Sequence, residues 1–99
     1  LVKVYFRGNM IRFVVQYTDS AGASQAPSNP KFYLFDPQGT QKLSGTPSSA
    51  SGTGRYVYNL VTASNWELGN YRAEFFGESS EGTIRNSVFF ELEVGDART

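Results

Sequence analysis

Met10-Ile11-Arg12-Phe13-Val14-Val15-Gln16-Tyr17 alternates without a break. In an extended chain Ile11, Phe13, Val15 and Tyr17 share one face, and Met10, Arg12, Val14 and Gln16 share the other. Period-two alternation is the mark of a half-buried strand; a helix would repeat its apolar positions every three or four residues. Gly8-Asn9 breaks the chain just before this run, since both residues tolerate positive φ, and Asp19-Ser20-Ala21-Gly22 turns it just after.

The same rhythm recurs in both directions. Upstream, Leu1 to Arg7 reads as a first, edge-like strand or arm. Downstream, Ala23 to Pro30 holds Pro27, Asn29 and Pro30 and reads as loop or edge. Lys31 to Phe35 is a strand that stops at the turn Asp36-Pro37-Gln38-Gly39. Gln41 to Leu43 is a short strand, and Ser44 to Gly54, rich in Ser, Gly and Thr, reads as a flexible loop. Arg55 to Val61 alternates again. Thr62 to Leu68 is a crossover, with one helical turn predicted around Ala63-Ser64-Asn65-Trp66. Asn70 to Phe76 is a strand, Glu78 to Gly82 a hairpin loop, and Thr83 to Val94 the last and longest strand. Residues 95–99 are expected to fray. The reading is all-β: seven strands in an antiparallel sandwich, as one domain over 1–99 with its core at 8–94.

At 99 residues the chain suffices for one domain and is too short for two. Such a domain buries roughly 60–65% of its unfolded surface, so large rings must carry the core. Eight Phe and six Tyr supply them. Without cysteine there is no disulfide and no thiolate metal site. Nine basic and nine acidic residues balance, where a nucleic-acid binder shows a basic excess, so nucleic acid is not an expected partner. No apolar run approaches the roughly 20 residues of a membrane span, and no leader is expected.

Several segments carry a resemblance. Gly8-Asn9-Met10-Ile11-Arg12-Phe13-Val14-Val15, Asp19-Ser20-Ala21-Gly22, Phe32-Tyr33-Leu34-Phe35-Asp36-Pro37-Gln38-Gly39, Gly54-Arg55-Tyr56-Val57-Tyr58-Asn59-Leu60 and Leu68-Gly69-Asn70-Tyr71-Arg72-Ala73 follow one order. From about residue 8 to residue 94 the chain resembles the immunoglobulin-like modules of macroglobulin type and the small immunoglobulin-like domains of phage virion proteins, such as the N-terminal domains of phage baseplate upper proteins. The resemblance implies an immunoglobulin-like sandwich. It also implies that Tyr71, just after the crossover, is a tyrosine corner whose hydroxyl bonds a backbone group a few residues upstream. Antibody-type domains place two cysteines and a tryptophan in the core. Here Phe13 or Val15, and Ala73, stand where the cysteines would be, and Trp66 lies in the crossover.

Catalysis has little to draw on. Histidine and cysteine are absent, and no serine or threonine has an evident activating partner. Glu91 and Glu93 point the same way and can bind a cation or act as acid and base, or simply form a solvated strand face. Asp19 and Asp36 head two turns; turn capping suits them better than calcium ligation, for which the acidic spacing is too sparse. No catalytic residue, cofactor or metal is expected.

The outer face of one sheet is more informative. In a sandwich of this type the third, sixth and seventh strands share a sheet. If Phe32, Leu34, Tyr71, Ala73, Phe75, Val88, Phe90 and Leu92 point inward, then Tyr33, Phe35, Phe76 and Phe89 point outward. Exposed rings in a cluster mark a partner surface, unless a loop such as Ser44 to Gly54 folds over them. Arg72, Glu74, Glu91 and Glu93 would form its polar rim. The apolar run Leu1 to Phe6 is either the first strand of the sandwich or an arm that pairs with a neighbouring subunit. The expected function is a non-catalytic structural or interaction module, packed against copies of itself or a major capsid, tail or surface-assembly protein. A phage virion protein assembled in the host cytoplasm comes first: a capsid decoration (cement) protein or a small tail, neck or baseplate component. A module of a bacterial or archaeal cell-surface protein, filament or adhesin is the alternative.

Overall fold

The computed structural model describes residues 3–80 and 82–94. The tail expected to fray, 95–99, and the first two residues of the N-terminal run lie outside the described residues. The described residues form eight strands: β1 (Lys3–Phe6), β2 (Met10–Gln16), β3 (Ser28–Phe35), β4 (Gln41–Gly45), β5 (Ser48–Ser49), β6 (Arg55–Val61), β7 (Gly69–Ser79) and β8 (Gly82–Glu93). They make a five-stranded sheet in the order β1-β8-β7-β3-β4 and a three-stranded sheet in the order β2-β6-β5. The architecture is all-β, with two sheets facing each other across one apolar core.

The core is built from the alternation. Ile11, Phe13, Val15 and Tyr17 of the β2 segment are buried, and so are Phe32, Leu34, Leu60, Tyr71, Ala73, Phe75, Phe90 and Leu92. Each such large side chain stabilises the fold by about 1.5–3 kcal/mol relative to exposure. Phe13 is the hub: its ring meets Phe90 at 5.6 Å and Phe32 and Phe75 at 6.0 Å. Tyr58 stacks on Phe32 at 4.0 Å, and Tyr71 on Phe90 at 5.4 Å. Trp66 leaves the crossover to stack on Tyr71 at 6.0 Å, closing one end of the core.

Polar bonds tie the sheets together at their ends. The Tyr71 hydroxyl donates to the Glu67 carbonyl at 2.6 Å. The Tyr17 hydroxyl donates to the Phe76 carbonyl in the opposite sheet at 3.0 Å. Thr62, buried, donates to the Asn9 carbonyl and accepts the Gly8 N–H, pinning the β1–β2 turn to the end of β6. Asp19 Oδ1 accepts the N–H groups of Ala21 and Ala23, and Asp36 Oδ1 those of Gln38 and Thr40. Both aspartates therefore cap their turns.

The strand count, and the antiparallel pairing throughout, need correction. The eighth strand is β5, inside the segment read as a flexible loop; it pairs with Tyr56 and Val57 through backbone alone, next to buried Pro47. The pairing of β1 with β8 is parallel, Lys3 opposite Phe90 and Phe6 opposite Glu93. No hairpin joins these two strands, so nothing forces them to run oppositely. The N-terminal run thus pairs within its own chain, and Tyr5 packs edge-on against Phe90 at 6.0 Å. β3 starts at Ser28 rather than Lys31, through an irregularity at Asn29 (φ 50°), because Pro27 is buried against Gly77. β7 runs past Gly77 to Ser79, which pairs with Gly82, so both strands extend into the segment read as a hairpin loop. The helical turn predicted in the crossover is a single hydrogen-bonded turn, Trp66 N–H to Ala63 carbonyl.

Candidate interaction surface

The inward set of the five-stranded sheet dictates the outward set. Because Phe32, Leu34, Tyr71, Ala73, Phe75, Phe90 and Leu92 face the core, their strand neighbours face away from it. Register then sets rows across β3, β7 and β8: Phe35, Arg72 and Phe89 in one, Tyr33, Glu74 and Ser87 in the next, and Lys31, Phe76 and Arg85 in the third. Aromatic and charged side chains therefore alternate across the first and third rows.

Glu74 occupies the middle of this face. Its carboxylate pairs with Arg72 Nε at 2.7 Å and with Arg85 Nε at 3.6 Å. The Arg72 guanidinium lies over the Phe35 ring at 4.3 Å, and that of Arg85 lies 5.9 Å from the Phe76 ring. Tyr33 meets Phe76 edge-on at 5.5 Å. Such cation–aromatic contacts contribute about 0.5–1 kcal/mol at exposed sites.

The structure brings Tyr33, Phe35, Phe76, Arg72 and Glu74 into one contiguous cluster, with Phe89 and Glu91 beside it on β8. Two features differ from expectation. Glu74 is not a rim charge: it is only 5% exposed, at the centre, neutralised by two arginines. And the rings are not equally bare. Phe89 is 56% exposed, while Tyr33, Phe35 and Phe76 are half-buried. Their cover comes from guanidinium groups and from each other; of the Ser44 to Gly54 segment, Ser44 and Gly45 end β4 alongside Tyr33 and Phe32, and Ser48 and Ser49 pair into the other sheet.

Arg72 Nε has no aligned hydrogen-bond acceptor although it sits close to the Glu74 carboxylate, so this contact is electrostatic rather than a well-directed bond. An open groove of about 660 Å³ continues the face, lined by Asn29, Lys31, Tyr33, Phe76, Gly77, Glu78 and Thr83. Rings, guanidinium donors and a groove suit this face to recognition. No three of Asp and Glu converge in a metal-holding cluster among the described residues.

Two apolar features accompany the cluster. Val4 and Phe6 of β1 lie opposite Glu91 and Glu93 and are 48% and 42% exposed, extending the face in an apolar strip. On the other sheet Met10, Val14 and Val61 are exposed as well. The alternation of β2 had already put Met10 and Val14 outward; pairing with β6 adds Val61, directly opposite Met10. Comparison of the chain with family models, curated proteins and solved structures finds no match to any of them.

Proposed function

We propose that this chain is an immunoglobulin-like interaction module, without catalytic activity, that docks the outer face of its five-stranded sheet onto a protein assembly. The strand order supports the fold reading, since the strands that would be third, sixth and seventh in a seven-strand sandwich, β3, β7 and β8, share a sheet. The Tyr71–Glu67 bond supports it too. The observation that carries the functional reading is Phe89, a large ring left 56% exposed beside a cluster of tyrosine, phenylalanine and arginine. Aromatic residues and arginine are the side chains that dominate binding energy when an interface closes over them. A ring left in water forfeits about 1.5–3 kcal/mol that burial would return. The assembly we put first is a phage virion, in which the chain serves as a capsid decoration protein or a small tail, neck or baseplate component; this rests on the resemblance of the sequence segments.

The test is Phe89→Lys. The side chain supports no core contact, so the thermal midpoint should match the wild type. Particles assembled with tagged wild-type chain should retain it, and particles assembled with the variant should not. Equal retention of both would remove this face from the reading.

A further inference from the structure

Two further patches remain after the aromatic cluster is accounted for, and they are opposite in charge. The first is the β1–β8 end of the five-stranded sheet. Glu91 and Glu93 stand there beside exposed Val4 and Phe6, and with Leu68 and Val94 they line a recess of about 480 Å³. Neither carboxylate has an ion-pair partner among the described residues.

The second is the outer face of the three-stranded sheet. Its outward positions on β2 and β6 are Met10, Arg12, Val14 and Gln16, opposite Val61, Asn59, Val57 and Arg55. That set contains two arginines and no acid. Arg12 and Arg55 line a recess of about 310 Å³ with Val14, Ala50 and Ser51, and neither has an ion pair among the described residues. Met10, Val14 and Val61 are 59%, 46% and 68% exposed.

We infer that a second copy of this chain docks the Arg12–Arg55 face of its three-stranded sheet against the Glu91–Glu93 end of the five-stranded sheet. The chain itself carries both complements, none of them ion-paired among the described residues: two carboxylates among aliphatic and aromatic side chains on one face, two guanidiniums among aliphatic side chains on the other. Pairing either patch with itself sets like charges together; pairing it with the other joins opposite charges and buries both apolar sets. The contact is heterologous, so each docked copy leaves one free face of each kind, and the array grows as a ring or an open row. A standard interface takes about 800 Å² from each partner, a modest share of the 6045 Å² surface. The inference rests on the reading of the outer face as a contact surface, and uses its acidic end rather than its aromatic cluster.

Sedimentation velocity on the purified chain tests it. Wild type should self-associate with rising concentration at low salt, and added salt should weaken the association. The double variants Arg12→Glu/Arg55→Glu and Glu91→Lys/Glu93→Lys should each associate about tenfold or more weakly than wild type, with unchanged thermal midpoints. Mixed together, they should associate again. Arg12→Gln/Arg55→Gln keeps the test open if charge reversal disturbs folding, and should show the same loss. A wild type monomeric throughout overturns the inference, as does an Arg12→Glu/Arg55→Glu chain that associates normally. A monomeric wild type whose entry into particles still depends on Phe89 overturns this contact and leaves the docking face standing. Copies that associate as described while Phe89→Lys is retained in particles overturn the docking face alone.

Discussion

The Tyr71 hydroxyl reaches back four residues to the Glu67 carbonyl, at 2.6 Å, and so fastens the crossover to the start of β7. The ring is buried between Trp66 and Phe90, and burial, with Glu67 and Asp36 nearby, raises the hydroxyl pKa against the opposing effect of Arg7. Tyr71→Phe keeps the ring and removes the bond. The variant should fold and lose about 1 kcal/mol, the net value of one hydrogen bond. Urea denaturation reads this directly; a midpoint equal to wild type would mean that the crossover is held by ring stacking alone.

Gly77 of β7 meets Pro27, which lies just before β3 and 50 residues earlier in the chain. A Cβ at Gly77 would collide with the Pro27 ring and press on Tyr17 Cε1 at 3.4 Å. The clash is steric, because Gly77 does not have positive φ. Gly77→Ala should therefore cost about 1–3 kcal/mol, as overpacking does. Combining it with Pro27→Gly should cost less than the sum of the two single changes. Strict additivity in that double-mutant cycle would show that the contact does not explain the glycine.

The residues read correctly from sequence are those whose side chains carry the signal. Ile11, Phe13, Val15 and Tyr17 alternate with polar or smaller neighbours, and all four are buried. Where backbone alone makes the contact, nothing could be read. Ser48 and Ser49 join β6 with both side chains exposed, so β5 has no apolar pattern. Proline left two readings open, loop or edge: Pro27 is buried against Gly77, and the strand begins right after it, with residues 28–30 running beyond the β4 pairing. At the surface, alternation gave the outward direction of Tyr33, Phe35, Phe76 and Phe89 but not their cover. A glutamate on an outer strand face reads as solvated. That Glu74 is not solvated depends on Arg72 two residues before it and on Arg85 one strand away, a pairing that only register supplies.

Glu74 yields a prediction of its own. Glu74→Gln removes the charge shared by Arg72 and Arg85 while keeping the side-chain shape. Breaking a pair buried on both sides costs about 3–5 kcal/mol. Here the arginine side chains are 41% and 61% exposed and stay hydrated, so the expected loss is smaller, about 1–2 kcal/mol. Denaturation at low and high salt separates the electrostatic part: the difference between wild type and variant should narrow as salt rises. A difference independent of salt would assign Glu74 a packing role instead.

High pH should unfold the protein through Tyr17. Its hydroxyl is buried, donates to the Phe76 carbonyl at 3.0 Å and lies near Tyr56; burial first, and Tyr56 second, push its pKa up to about 12. In the unfolded chain a tyrosine ionises near pH 10. Below that pH both states hold the proton and the stabilisation is complete. Between about pH 10 and 12 the unfolded state gives up the proton while the native state keeps it, so stability falls as pH rises, by up to about 1.4 kcal/mol per pH unit for each such tyrosine. Tyr71, raised in the same direction, should add to the slope. Tyr17→Phe should be less stable than wild type at pH 7, having lost a hydrogen bond, yet lose less of its remaining stability between pH 10 and 12. Urea midpoints across that range, with tyrosinate absorbance followed in parallel, measure both effects. An unchanged alkaline slope in Tyr17→Phe would show that this tyrosine does not control the transition.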